Sequence, residues 1–138
     1  MADPDTIDGW LHLVRQHELA ALTLAENKVA AAQGFHHAGV AVECALKAYI
    51  IKVERLNSWP SRDARPELYT HDLRALCKIA GVVLDTNSPT APGWHLCFQW
   101  DRNQWYDPNP MPRRVARSMC EAAFGSNGVV TWIRQKLK

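Results

Sequence analysis

The sequence lacks most of the features that would take it out of the ordinary globular class. No apolar run approaches the roughly 20 residues needed to cross a bilayer. The opening Met-Ala-Asp-Pro-Asp is acidic, unlike the basic start of a secretory signal. Both absences lead to the expectation of a cytoplasmic protein with no membrane association. No stretch alternates polar and apolar residues for long enough to read as a strand, and no internal repeat or low-complexity segment is visible. The phosphate-cradling loops G-x-x-x-x-G-K and G-x-G-x-x-G are absent, as is the zinc-binding H-E-x-x-H. The four cysteines, Cys44, Cys77, Cys97 and Cys120, form no C-x-x-C pair and have no metal-ligand spacing. Three of them fall in apolar helical patterns and read as buried free thiols. No metal or cofactor is expected. A net charge of +2 gives little general attraction for nucleic acid.

What is present fits one domain. The 138 residues are 47% hydrophobic and 22% charged, which is enough apolar surface for a core. Asp8 to Glu26 carries Trp10, Val14, His17, Ala21 and Leu24 at helical steps, with Asp3, Asp5 and Asp8 placed for the positive end of the helix dipole. Asn27 or a neighbour breaks the chain. Lys28 to Leu56 is apolar on most sides, so it is expected to be the buried central helix. Gly34 and Gly39 within it would let another backbone come close. Asn57 to Tyr69 is a charged, proline-containing loop. Thr70 is a plausible N-cap for a helix from His71 to Ala80 that ends at Gly81. Gly93 to Trp105 reads as a short helix, and Asp107-Pro-Asn-Pro-Met-Pro is a stop. A last helix is expected over Pro112 to Lys136, with Gly125-Ser-Asn-Gly128 as a possible interruption. The class is all-α, with four or five helices in a bundle-like domain spanning residues 1–138.

Several polar and aromatic residues carry two readings each. His36 and His37 point about 100 degrees apart on a helix. One of them faces a partner or nucleotide, or one is a hydrogen-bonded core residue while the other is exposed. Glu43 and Lys47 are four apart in the favourable order for an ion pair. They form either a simple helix-face pair or a polar spot that fixes how helices or subunits meet. Arg113, Arg114, Arg117, Arg134, Lys136 and Lys138 gather near the C-terminus, opposite the acidic Asp3, Asp5, Asp8, Glu18 and Glu26. The two ends complement each other, or the basic face meets phosphates. Six tryptophans are many for this length, and Trp94, Trp100 and Trp105 are close together. They are core anchors, or at least one belongs to an interface, where Trp and Arg are enriched. Arg102 lies between aromatics and could stack on one.

Phe35 to Ile50, F-H-H-A-G-V-A-V-E-C-A-L-K-A-Y-I, resembles a segment of the HEPN family of small helical proteins. Tyr69 to Val82, with its T-H-D-L and A-G, looks like the family's second hallmark. Gly128-Val-Val-Thr-Trp-Ile-Arg134 is similar to a third. The resemblance implies an up-and-down antiparallel bundle, usually a homodimer, in a prokaryotic toxin–antitoxin or defence setting beside a minimal nucleotidyltransferase. Many members are metal-independent endoribonucleases that use an arginine and a histidine separated by four to six residues. Here Arg65 to His71 has that spacing, but Pro66 and the loop argue against a rigid helical placement. Trp100 to Tyr106 resembles a W-x-x-x-x-R-Y segment of the family, with Trp105 where the arginine would stand, and Arg102 is a possible substitute. The leading expectation is therefore a non-catalytic, dimeric binding and scaffolding module, the partner of a minimal nucleotidyltransferase, with nucleotide or RNA as a secondary contact. Its interface candidates are His36, His37, Glu43, Lys47, His71, Asp72, Trp100, Arg102, Trp105 and Tyr106. The alternative is a ribonuclease using Arg65 or Arg102 with His71.

Overall fold

The computed structural model describes residues 3–138. Met1 and Ala2, the first residues of the acidic start, lie outside that range. The described residues contain six α-helices, two short 3-10 helices and no strand. The helices are α1 (Ile7–Ala25), α2 (Ala31–Glu54), α3 (Leu73–Ile79), α4 (Ala91–Cys97), α5 (Arg113–Phe124) and α6 (Val129–Lys136), with 3-10 turns at Pro66–Leu68 and Arg102–Tyr106. The all-α expectation holds. No helix among the described residues is long and apolar enough to cross a membrane.

The first helix starts where Thr6, not an aspartate, caps it: its Oγ1 accepts from the Gly9 N–H at 3.0 Å. Asn27 breaks the chain as expected, because its Oδ1 takes the N–H groups of Val29 and Ala30 at 2.9 and 3.0 Å. The helices on either side then run antiparallel, since Ala25 and Ala21 face Gly34, His17 meets His37, and Trp10 meets Lys47. A Cβ on Gly34 would strike the Ala25 and Ala21 backbone, so this glycine permits a close helix–helix approach.

The central position expected for α2 is what the fold shows. Seventeen of its residues are buried, and α1, α3, α5, α6 and the Arg102–Tyr106 turn all pack on it. Gly39 admits a side chain rather than another backbone: a Cβ there would come within 2.3 Å of the Trp100 ring. The C-terminal run is two helices. Gly128 starts α6 after a turn in which Thr131 Oγ1 donates to the carbonyls of Phe124 and Gly125 at 3.1 and 2.7 Å.

The expectation for the Trp cluster needs correction. The Trp cluster is not one helix, because α4 ends at Cys97 and the chain turns at Trp100 before the 3-10 turn. Trp94 and Trp100 are core residues of this chain at 2% and 5% exposure, which leaves half-buried Trp105 and exposed Tyr106 as the accessible aromatics of the cluster. Two of the six basic residues near the C-terminus are matched from within. Arg117 grips the Glu26 carboxylate at 2.7 and 2.5 Å, and Arg134 reaches Glu18 at 2.8 Å, so the complementing reading of the two ends holds.

Candidate functional site

The site is assembled by three elements that are distant in sequence. On α2, Glu43 and Lys47 sit one turn apart and pair at 3.1 Å, at 5% and 4% exposure. Burying two charges is costly unless each finds more than one partner. The Lys47 ammonium meets Glu43 and lies over the rings of Trp10 and Trp59, 5.3 and 6.0 Å from their centroids. The second Glu43 oxygen, Oε1, reaches His71 Nδ1 at 2.9 Å.

His71 is held by the residues on either side of it. Thr70 Oγ1 accepts from the Asp72 N–H at 3.1 Å, and Asp72 Oδ1 accepts from Arg74 and Ala75 at 3.0 and 3.3 Å. Asp72, not Thr70, is therefore the N-cap of α3. The T-H-D-L sequence fixes the backbone on both sides and projects the imidazole, whose side chain is 50% exposed. A carboxylate only accepts, so the Nδ1 facing Glu43 carries the hydrogen, and in the neutral ring Nε2 then keeps its lone pair.

The third element is the turn after α4. Asp101 caps it by accepting from the Asn103 N–H at 2.9 Å, and Arg102 emerges beside His71. Its Nη1 lies 3.0 Å from Nδ1 and 3.1 Å from Nε2 of that ring. The guanidinium carbon is 5.8 Å from the centre of the Trp105 ring. Among the described residues, Arg102 makes no ion pair with a carboxylate. Arg102 and His71 both line an open cavity of about 560 Å³, together with Thr70, Asp72, Trp100 and Asn103. A solvent-facing guanidinium beside an oriented imidazole can hold one phosphate oxygen pair. Asp72 and Asp101 line the same cavity and offset part of the Arg102 charge there.

Of the two arginines weighed against His71, the structure brings only Arg102 to it. Arg65 grips Glu54 through both Nη atoms at 2.8 and 3.1 Å and adds Glu67 at 3.1 Å. That pairing raises the guanidinium's pKa above its ordinary value and holds the Glu54 carboxyl below its own.

His36 takes the hydrogen-bonded core role set out for the pair, and His37 does not take the exposed one. His36 is 3% exposed, and its Nδ1 accepts from Trp100 Nε1 at 3.1 Å. His37 is half-buried rather than exposed, and meets His17 of α1 through their Nδ1 atoms at 2.9 Å. Trp105 lies flat on His36 and edge-on to His37, and its indole donates to Gln33. Burial is the largest cause lowering all three imidazoles below their ordinary 6.5. The contact with His37, which Trp105 meets edge-on, joins His17 of α1 to the site. His17 reads only as one residue of an apolar stripe in the sequence, and nothing in its neighbourhood signals that role.

Among the described residues, no group of three or more His, Cys, Asp or Glu could hold a metal ion. No family model, curated protein or solved structure matches the chain.

Proposed function

We propose that this chain is a HEPN-type binding module that receives a phosphate of RNA or of a nucleotide at Arg102 and His71. The observation that carries this reading is the exposed Arg102 guanidinium, which rests on an imidazole instead of a carboxylate at the edge of a cavity. A cation left uncommitted in this way can give its hydrogen bonds to an anion. The up-and-down bundle, the homodimer, the nucleotidyltransferase partner and the cytoplasmic toxin–antitoxin setting are parts of the same proposal. They rest on the resemblance of Phe35–Ile50, Tyr69–Val82 and Gly128–Arg134 to that family.

A second reading, a metal-independent endoribonuclease, is favoured by one specific contact, Glu43 Oε1 to His71 Nδ1 at 2.9 Å. A buried carboxylate that fixes the tautomer leaves Nε2 free to act as a base once Arg102 turns to the phosphate. In that reaction Nε2 takes the 2′-hydroxyl proton, the 2′-oxygen bonds to phosphorus, and the 5′-oxygen leaves and regains a proton from the imidazolium. Arg102 offsets the charge that develops on the phosphate oxygens.

Fluorescence anisotropy with a labelled RNA oligonucleotide in EDTA tests both readings. Arg102→Ala is expected to weaken binding by about tenfold or more, the scale of one charge-assisted contact, and Arg65→Ala to leave it unchanged. Equal binding by Arg102→Ala and the parent protein would sink the phosphate site. Shortening of the RNA by the parent but not by His71→Ala would decide for the nuclease.

A further inference from the structure

We propose that His36 is a positioning residue: while neutral, it fastens the Trp100–Trp105 segment, and with it Arg102, onto α2, and its protonation releases that segment. The inference rests on Arg102 being the cation of the site, but its test reads the segment itself and needs no ligand.

One side chain meets three residues that bracket Arg102. Nδ1 of His36 accepts from the Trp100 indole at 3.1 Å. Gln104 lines the same cavity as His36, and its backbone favours the charged form of the ring. Its face carries the Trp105 ring, with centroids 5.4 Å apart and planes within 14°. One turn further along α2, Gly39 leaves the space that the Trp100 ring occupies. Outside these anchors, the segment is exposed at Asp101, Arg102, Asn103 and Gln104.

The Trp100 bond makes this latch depend on the proton. An indole N–H only donates, so Nδ1 can accept it only while unprotonated. A cationic imidazole would set N–H against N–H inside the core, where an unpaired donor is costly. The groups that face the ring work in both directions. Burial and His37 on the same helix oppose the charge, and His37 is itself bonded to His17 of α1. The Gln104 carbonyl favours the charge, and so does Asp107, which shares a cavity with His36. Arg102, on the same segment, adds a cation. The α5 side of that cavity contributes apolar Val115. Burial is the largest of these effects and sets the direction, so the latch holds at neutral pH and opens as the pH falls below the ordinary imidazole range.

The experiment is a pH titration of the full chain by NMR, following the His36 imidazole nitrogens, the Trp100 indole N–H and the backbone amides of Asp101–Tyr106. The expected result is a neutral Nε2–H tautomer at pH 7.5. His36 then titrates below 6.5 in step with the Trp100 indole and the Asp101–Tyr106 amides, while the α1 and α2 amides stay in place. His36→Asn keeps an acceptor near the Nδ1 position without a titrating group, so the closed signals should persist and lose their pH response. Trp100→Phe removes the donor, so His36 should titrate at higher pH than in the parent. An unshifted Trp100 indole as His36 titrates would overturn the proposal, and so would an unchanged pH response of the segment in His36→Asn. If either variant fails to fold, the parent titration alone decides.

Discussion

Arg102 Nη1 stands 3.0 and 3.1 Å from the two nitrogens of His71, although the residues are 31 positions apart and belong to different turns. This contact joins an exposed cation to a chain of partners that ends deep in the core: His71 to Glu43, then Glu43 to Lys47. The outer end is free to meet a ligand, and the inner end is fixed by burial.

The inner end sets the first prediction. Lys47→Met removes one charge of a buried pair and leaves Glu43 with only half-exposed His71. Such a change costs about 3–5 kcal/mol, whereas replacing both charges by apolar groups is often close to neutral. Urea denaturation should therefore show Lys47→Met strongly destabilised and the Glu43→Leu/Lys47→Met double variant recovering much of the loss. Additive losses would mean that the two residues act independently.

The second concerns Gly39. Alanine there places a methyl within 2.3 Å of the Trp100 ring, and the ring must move. Overpacking of this kind costs about 1–3 kcal/mol, and the displaced Trp100 would carry Arg102 away from His71. Gly39→Ala is expected to lower the denaturation midpoint and weaken RNA binding together. A variant as stable as the parent would contradict the close packing of Trp100 on α2.

The third is the dependence of stability on pH. His17, His36 and His37 are all lowered from 6.5 in the folded chain. The unfolded state then binds more protons between the two values, so stability rises with pH there. Their contribution is complete above about pH 6.5 and is lost as the pH falls through the lowered folded values. Thermal midpoints measured between pH 8 and pH 5 should fall on the acid side, and His17→Phe should flatten part of that fall.

The fourth concerns the thiols. Burial pushes Cys44 and Cys97 up to about 12, and Cys77 and Cys120 to about 11, so little thiolate forms at neutral pH. A thiol reagent should label the native protein very slowly and all four cysteines after denaturation. Rapid native labelling would contradict their burial.

Local chemistry made the helices legible. The apolar run of α2, the Asn27 break and the Asp-Pro-Asn-Pro stop each act on neighbouring residues, and each appears close to where the pattern puts it. The pairing of Glu43 with Lys47 was legible for the same reason, since helical spacing dictates it. The rest of the site depends on tertiary contacts. Glu43 reaches His71 across 28 positions, and His36 reaches Trp100 across 64. Pro66 and its loop count against Arg65 in the sequence, but no local rule picks out Arg102 as the partner of His71. What decides it is the nearby Glu54, which occupies Arg65, whereas among the described residues no carboxylate pairs with Arg102.

The most direct test is a chemical-shift map of the full chain titrated with an RNA oligonucleotide, with the Arg102 Nε and His71 imidazole signals observed alongside the backbone. The account predicts saturable shifts concentrated at Thr70–Asp72 and Asp101–Gln104, with Arg102 Nε and His71 moving most. Shifts confined to Arg113, Arg114 and Lys138, with Arg102 and His71 unmoved, would contradict it.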